Sequence, residues 1–177
     1  MINMLKQLIV LEITNKGIHK SEYQNLTSEQ RALLEEREGQ FFVKMSERKK
    51  IRIGLTGGVF DILHIGHIIT LEEAKKNCDL LVVAIANDAH IRKKGREPIH
   101  TQEYRKRMVD ELKPVDVAIA GFDDPKKMLD LVRPNVIIYG YDQKEFLKPD
   151  GVKIIKLDRK IDDSKFKTGK IIEELGL

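Results

Sequence analysis

The sequence predicts an α/β protein with a Rossmann-like, doubly wound parallel sheet, preceded by a small and mainly helical segment. From Ile51 onward, short runs rich in Val and Ile alternate with stretches of helical periodicity, which is the pattern of repeated βαβ units. Most of these runs are apolar throughout, as strands covered on both faces are. Gly57 and Gly58 follow the first run, at the end of the strand where such sheets bind ligands.

Composition narrows the class of protein. The chain has 177 residues, 41% of them apolar and 34% charged, with a formal net charge of +4. This length holds one full domain with an appendage. No apolar run approaches the roughly 18 residues of a membrane span, and Cys78, as the single cysteine, cannot form an intrachain disulfide. We therefore expect a cytoplasmic protein without membrane attachment, and its charge suits anionic small molecules as well as nucleic acid.

The sheet domain is predicted to span residues 51–177. Its strands are predicted at 51–56, 80–86, 115–120, 135–139 and 152–157. Its helices are predicted at 65–77, 101–112, 125–132 and 167–175. Thr101 and Asp124 are suitable N-caps, and Pro125 suits a first helical turn.

Residues 1–50 predict a separate module that resembles a winged helix. Helices are expected at 2–13, 20–26 and 28–37, followed by a short strand at 41–43 and a charged linker at 47–50. Thr27 and Gln30 have the spacing of a capping box. The third helix, together with Glu38 directly after it, would carry four glutamates against two arginines, which is unfavourable for contact with DNA phosphates. We therefore favour a role in packing or in a homodimer over DNA binding.

Two histidines define the candidate site. His64 and His67 are three residues apart at the predicted start of a helix, so they share one face, and Gly66 leaves room for a ligand between them. A helix N-terminus favours phosphate oxygens, and imidazole N–H groups there could stabilise charge at an attacked phosphorus. A zinc site is disfavoured because no other residue has suitable ligand spacing.

The segment from Gly58 to His67, Gly-Val-Phe-Asp-Ile-Leu-His-Ile-Gly-His, resembles the nucleotidyltransferase signature G-T-F-D-x-x-H-x-G-H. The similarity spans about residues 51–175, so the chain is identified as a member of the HxGH, or cytidylyltransferase-like, superfamily. This family includes glycerol-3-phosphate and ethanolamine-phosphate cytidylyltransferases, heptose-phosphate adenylyltransferases and archaeal FAD synthases. The resemblance implies transfer of a nucleoside monophosphate from ATP or CTP to an acceptor phosphate, with release of pyrophosphate and no covalent enzyme intermediate.

The resemblance also implies roles for individual residues. His64 and His67 would stabilise the reacting phosphorus. A basic loop, Arg92-Lys-Lys-Gly-Arg96, follows the second strand, and one of its lysines, Lys93 or Lys94, would help them. Mg²⁺ is expected to bridge phosphate oxygens, because the site offers few carboxylates for a protein cage. Residues expected to contact the nucleotide are Gly57, Gly58, Val59, Phe60, Asp61, Gly66, Arg105, Asp142 and Thr168.

For three of these residues a particular role or alternative can be stated. Asp142 would accept hydrogen bonds from ribose or acceptor hydroxyls, and Thr168, at a helix N-terminus, would face the β- and γ-phosphates. Arg105 has a structural alternative, an ion pair on the helix surface with Glu103 or Glu111.

The chain departs from the family pattern at three positions. Val59 replaces the usual threonine, so only its backbone can serve. Lys167-Thr-Gly-Lys-Ile171 resembles the family's closing element S-T-T-K-I, in which Gly169 replaces the second hydroxyl residue. Asp162 stands where cytidylyltransferases have an arginine, for which Arg159 could substitute if the loop is rearranged.

The choice of substrate rests on two short segments. Gly140-Tyr-Asp-Gln143 and Lys113-Pro-Val-Asp116 resemble archaeal FAD synthases, which favours adenylylation of FMN. Aromatic residues that could stack on its ring are Phe60, Tyr104, Tyr139, Tyr141 and Phe146.

Two alternatives remain open. CTP-dependent transfer to glycerol 3-phosphate or to a sugar or polyol phosphate is the alternative within the family. An alternative of another class is a nucleotide-sensing regulator that binds DNA.

Overall fold

The computed structural model describes residues 1–93, 95–158 and 168–176. The chain divides into two compact units, Met1–Arg52 and Ile53–Leu177. No helix within the described ranges is both long enough and apolar enough to cross a membrane.

The first unit contains four helices and a β-hairpin. Its elements are α1 (Ile2–Asn15), α2 (Lys20–Gln24), α3 (Ser28–Ala32), β1 (Leu34–Arg37), β2 (Gln40–Val43) and α4 (Met45–Arg48). Ile18 adds an isolated antiparallel bridge to Phe41. Thr27 caps α3 by accepting a hydrogen bond from the Gln30 N–H, and the reciprocal bond completes the predicted capping box.

Two predictions for this unit were wrong. The helix expected at 28–37 ends at Ala32, because residues 34–37 pair with β2 and bury Leu34 opposite Val43. Glu38 and Gly39 both have positive φ at the hairpin turn, as a two-residue turn between strands requires. Glu47 and Arg48 of the linker expected at 47–50 belong to α4 instead. The buried Arg48 guanidinium pairs with buried Glu12 at 2.9 Å.

The second unit is a five-stranded parallel sheet with flanking helices, as the sequence predicts. Its strands are β3 (Ile53–Gly58), β4 (Leu80–Ile85), β5 (Val117–Ala120), β6 (Val136–Tyr139) and β7 (Lys153–Lys156). They lie in the order β5-β4-β3-β6-β7, and every neighbouring pair is parallel. Its helices are α5 (Ile65–Lys75), α6 (Asp88–Arg92), α7 (Gln102–Asp110), α8 (Pro125–Val132) and α9 (Thr168–Leu175). The Rossmann-like fold class is therefore confirmed.

The core lies against the sheet. Leu81, Val83 and Ile85 alternate along β4 and pack in one cluster with Leu71 of α5 and Val109 of α7, all at most 1% exposed. Each such side chain stabilises the fold by about 1.5–3 kcal/mol on burial. The packed core gives the carboxyl ends of the strands, and the loops that follow them, a rigid base.

Polar side chains cap α6, α7 and α8 in this unit. Asp124 accepts a hydrogen bond from the Lys126 N–H at the start of α8, where Pro125 is the first helical residue. Thr101 caps α7, as predicted. Asn87 caps α6, a short helix that the sequence analysis did not predict, by accepting from the His90 N–H at 2.7 Å.

Candidate active site

A crevice opens between β3 and β6 at the carboxyl ends of these two strands. β3 remains paired with β4 as far as Gly58 and Ile85, whereas its registered pairs with β6 end at Leu55 and Ile137. The chain order also reverses here, with β4 and β5 on one side and β6 and β7 on the other. Doubly wound sheets bind ligands at such a switch point, and a cavity of about 940 Å³ lies at these strand ends.

His64 and His67 lie together in this cavity. His64 is the N-cap of α5, and His67 lies in its first turn. Their ring centroids are 3.9 Å apart and the rings are stacked at 26°. The Nδ1 atoms of both rings are buried and have no hydrogen-bond partner among the described residues. Nε2 of each ring is not among the buried unpartnered atoms, so it is the ring nitrogen available to a ligand.

Both imidazoles are neutral near pH 7. Burial lowers the pKa of His64, against the opposing negative charge of Asp142. Burial, together with the neighbouring His64, lowers the pKa of His67 to about 4. A neutral imidazole has one donor nitrogen and one acceptor. Since unsatisfied buried N–H groups are rarer than unsatisfied acceptors, we assign each proton to Nε2, which makes both histidines donors towards the cavity.

The chain between β3 and α5 fits tightly around the histidines. Phe60 is 5% exposed, has a positive φ of 54° and packs its ring 4.9 Å from the His67 ring. A positive φ on a bulky residue is strained, so the surrounding packing must hold it. A Cβ atom at Gly58 would lie 2.7 Å from the Phe60 ring, and one at Gly57 would lie 3.1 Å from the Ala84 carbonyl oxygen. Glycine at these positions permits the close packing of the loop that carries the histidine pair.

The start of α5 adds a backbone contribution to the site. Val59 and Gly66 line the cavity with Gly57, Gly58 and Phe60. The eleven-residue helix directs the positive end of its dipole to this position, where phosphate oxygens are favoured.

Asp61 has a structural environment that the sequence did not predict. Its carboxylate is fully buried and accepts hydrogen bonds from Arg96 and from the backbone N–H groups of Ile99 and His100. Burial alone would raise the pKa of Asp61, but these hydrogen bonds outweigh burial and keep the pKa below its ordinary value. Asp61 therefore fixes the segment 96–100 and is not among the residues that line the cavity, in contrast to the nucleotide contact expected.

Arg105 is likewise turned into the protein. Its side chain is fully buried and donates to the carbonyl oxygens of His100 at 2.9 Å, Val59 at 2.5 Å and Ala86 at 2.8 Å. It also pairs with Asp88 at 2.6 Å. The expected nucleotide contact and the alternative surface pairs with glutamate both differ from this arrangement. Arg105 instead joins the loop after β3 to the loop after β4.

The basic loop after β4 is only partly directed at the cavity. Lys93 is exposed and lines the cavity. Arg92 pairs with Glu97 at 2.9 Å, and Arg96 is bound to Asp61. Lys94 and Arg159 lie outside the described residues, as does Asp162.

The loop after β6 forms the opposite wall. Tyr141, Asp142 and Gln143 line the cavity, and the exposed Asp142 is close enough to His64 to affect its pKa. Gln143 donates from Nε2 to the Gly57 carbonyl at 2.7 Å and accepts at Oε1 from the Gly140 N–H at 2.8 Å. In the sequence, Gln143 is marked only as the last residue of the segment 140–143 that resembles FAD synthases, and its position directly after Asp142 was the available signal.

The aromatic residues divide into two groups. Phe60 is packed on His67, and Tyr104, which is 60% exposed, is not among the cavity-lining residues. Tyr139, Tyr141 and Phe146 line the cavity, and so does Phe122, which the sequence analysis did not select. Phe146 is 73% exposed and meets Tyr139 edge to face at 5.7 Å.

The closing element contributes α9. Thr168 is its first residue, and Gly169 lines the cavity. Among residues 1–93, 95–158 and 168–176, no group of three or more His, Cys, Asp or Glu side chains could hold a metal ion. The carboxylates that line the cavity within the described ranges are those of Asp123 and Asp142.

The strand order, the crevice and the histidine pair define a nucleotidyltransferase-like site. The model of the cytidylyltransferase-like family matches residues 55–174, which is more than half of the chain. The chain therefore belongs to the cytidylyltransferase-like family, and the predicted family membership is confirmed.

Individual relatives are consistent with this membership. An FAD synthase of Aciduliprofundum boonei is 47% identical over 95 residues, which cover 53% of this chain and 63% of that relative. The match thus spans less than two thirds of that protein. An FAD synthase of Ferroglobus placidus is 41% identical over 128 residues, covering 67% of this chain and 84% of the relative. The crystal structure of the lipopolysaccharide core biosynthesis protein from Thermoplasma volcanium GSS1 matches with a TM-score of 0.57 and 37% identity, covering 63% of this chain and 99% of that one.

Proposed function

We propose that this protein is an FMN adenylyltransferase, an FAD synthase that transfers AMP from ATP to the phosphate of FMN and releases pyrophosphate. The observation that carries the proposal is the stacked pair of neutral imidazoles at the start of α5, inside the cavity at the strand ends. The choice of ATP and FMN is supported by the similarity to FAD synthases.

In the proposed reaction, a phosphate oxygen of FMN attacks the α-phosphorus of ATP. The new oxygen–phosphorus bond forms as the bond from the α-phosphorus to the bridging oxygen breaks, and pyrophosphate leaves with that electron pair. A phosphate monoester is largely ionised at neutral pH, so the attack requires no general base. The protein needs only to align the two phosphates and to stabilise the charge that develops.

The histidine pair supplies that stabilisation. With the proton on Nε2, His64 and His67 each donate a hydrogen bond towards an α-phosphate oxygen, and neither ring needs to change its protonation state. The N-terminus of α5 adds its positive dipole at Gly66. One lysine of the basic loop, Lys93 or Lys94, would neutralise charge in the transition state. Asp142 would accept a hydrogen bond from a ribose or acceptor hydroxyl. Thr168 would face the β- and γ-phosphates.

A divalent cation, most simply Mg²⁺, belongs to the same proposal. The part of the cavity wall that the structure describes carries two carboxylates, those of Asp123 and Asp142. These are too few for an all-protein cage, so phosphate oxygens and water would hold the ion. When bound, it supplies positive charge to the triphosphate.

The flavin would use the aromatic part of the cavity. Tyr141, Phe146 and Phe122 line it, and a planar isoalloxazine ring stacks favourably on such side chains. The Phe146 ring is 73% exposed, so most of its surface is open to a bound flavin.

Pyrophosphate release is the test of this function. We would offer ATP and then CTP, each with Mg²⁺, against FMN, glycerol 3-phosphate and a set of sugar phosphates, and identify the product by chromatography. We expect FAD from ATP and FMN, and no turnover by a His64→Ala, His67→Ala double variant. Release only with CTP and a non-flavin phosphate would favour the cytidylyltransferase alternative. Nucleotide binding without turnover of any pair would favour the regulator.

A homodimer and a cytoplasmic location stay predictions from the sequence. The predicted dimer is tested by the mass of the full chain on dilution. A monomer at micromolar concentration would exclude it.

A further inference from the structure

The side-chain amide of Gln143 crosses the crevice at the point where β3 and β6 separate. Beyond Leu55 and Ile137 the registered pairs of β3 and β6 end. Gly57, two residues farther along β3, is then reached by Gln143, whose Nε2 donates to the Gly57 carbonyl at 2.7 Å. The same amide accepts the Gly140 N–H at 2.8 Å. A peptide group in a sheet uses one donor and one acceptor to bind its neighbours, and the Gln143 amide supplies the same two groups.

We propose that Gln143 is a positioning residue whose side-chain amide replaces a backbone link between β3 and β6 and thereby sets the width of the active-site crevice. We call this pair of hydrogen bonds, to Gly57 and from Gly140, the Gln143 rung. This inference rests on the proposed function insofar as it concerns catalysis. One end of the rung holds Gly57, which precedes the loop leading to His64. The other end holds the turn 140–143, which is closed by a hydrogen bond from the Gln143 N–H to the Gly140 carbonyl at 3.1 Å and carries Asp142.

The chemistry of the side chain explains why glutamine suits this position. Glutamate could accept from the Gly140 N–H, but it would place a carboxylate oxygen against the Gly57 carbonyl, where a donor is needed. Methionine has similar length and neither group. In both cases the two walls lose the bond that joins them, and the distance from Asp142 to His64 is no longer fixed.

The chain offers a matched control at the opposite end of the same two strands. Asn135 accepts the Ile53 N–H on its side-chain oxygen at 2.7 Å, so it too joins β3 to β6 through an amide. It is not among the cavity-lining residues. Asn135→Ala therefore removes a comparable link without touching the crevice.

Hydrogen exchange tests the rung without any substrate. The Gly140 amide should exchange at least about tenfold faster in Gln143→Met than in the wild type, because its acceptor is lost. In Asn135→Ala its exchange should match the wild type. Unchanged Gly140 exchange in Gln143→Met would overturn the proposal, and this outcome does not depend on the identity of the substrates.

Kinetics tests whether Gln143 acts through Asp142. Misplaced reacting groups cost rate steeply, so we expect kcat/KM for ATP to fall about tenfold in Gln143→Met and in Gln143→Glu, and by less than about twofold in Asn135→Ala. In an Asp142→Asn background, Gln143→Met should cost less than about threefold more. An equal loss in both backgrounds would show a merely structural role and would overturn the positioning role.

The two proposals fail in distinguishable ways. If the wild type turns over no nucleotide–acceptor pair, the proposed function fails, and the same comparison is made on the dissociation constant for ATP. A weakening in Gln143→Met that disappears in the Asp142→Asn background supports the rung in that case, and an unaltered dissociation constant contradicts it.

Discussion

Replacing Arg105 distinguishes a structural arginine from one that contacts the nucleotide. Arg105→Met keeps much of the apolar length of the side chain and removes every donor. Three backbone carbonyls then lose a hydrogen bond from a charged donor, and Asp88 loses its partner. An acceptor left without its donor costs about 1–3 kcal/mol when it is buried, which gives an upper limit of about 9 kcal/mol for three carbonyls.

The loss from Asp88 is smaller than it would be for a fully buried acid. The Asp88 side chain is 24% exposed, so water can solvate it once the pair is broken. Removing one partner of a buried ion pair typically costs about 3–5 kcal/mol, and we expect a loss of this size in the free energy of unfolding. Arg105→Lys should lose somewhat less stability than Arg105→Met, because it keeps one charged donor. It should still be less stable than the wild type, because one ammonium group cannot reach all the acceptors of a planar guanidinium.

Urea unfolding of the full chain, followed by circular dichroism, measures this loss. Arg92→Met is the matched control: Arg92 and its partner Glu97 are 55% and 75% exposed, and such surface pairs contribute about 1 kcal/mol at most. A loss below about 1 kcal/mol in Arg105→Met, accompanied by a large rise in KM for ATP, would refute the structural role and favour the nucleotide contact.

Three further predictions concern the histidine pair and its support. His64→Ala should lower kcat about 10²–10³-fold, equivalent to about 2.7–4 kcal/mol, as for the loss of one donor to a developing oxyanion; near-normal turnover would contradict the mechanism. Because the pKa of His67 is lowered from 6.5 to about 4 by burial, the unfolded chain binds more protons than the folded one between these values, and stability falls as the pH falls through this range. Between pH 7 and pH 5 this loss of stability is about 2 kcal/mol. The loss should be absent in His67→Gln, which is checked by comparing the urea midpoints of that variant with those of the wild type at the two pH values. Gly58→Ala should cost about 1–3 kcal/mol of stability, since its Cβ would lie 2.7 Å from the Phe60 ring, and unaltered thermal unfolding would show that the ring can move aside.

The features that could be predicted are those contained in a short piece of chain. His64 and His67 lie in one segment of eleven residues with the two glycines, so spacing alone brought them to the same helix face. The capping box of α3 and the caps of α7 and α8 are also local, and the structure contains each of them. The apolar strands of the sheet were predictable because burial on both faces demands continuous Val, Ile and Leu.

The predictions that failed, or that the structure altered, involve partners outside the segment on which each prediction was made. Residues 34–37 were expected to be helical, and pairing with β2 overrode that local preference. Asp61 and Arg105 belong to residue types that often contact nucleotides. However, the donors that bind Asp61 lie up to 39 positions away in the sequence, and the acceptors that bind Arg105 lie up to 46 positions away. Sequence spacing carries no information about such partners.

The sequence by itself determined the class of this protein: a parallel α/β sheet with two histidines at a helix start beside a glycine-rich strand end. Only the tertiary structure decided which polar side chains face the cavity and which are used internally. Gln143 and Gly57 are 86 positions apart and meet only because β3 and β6 are neighbours in the sheet. The physical reason is that buried polar groups must find partners, and the fold, not the local sequence, determines which partners are within reach.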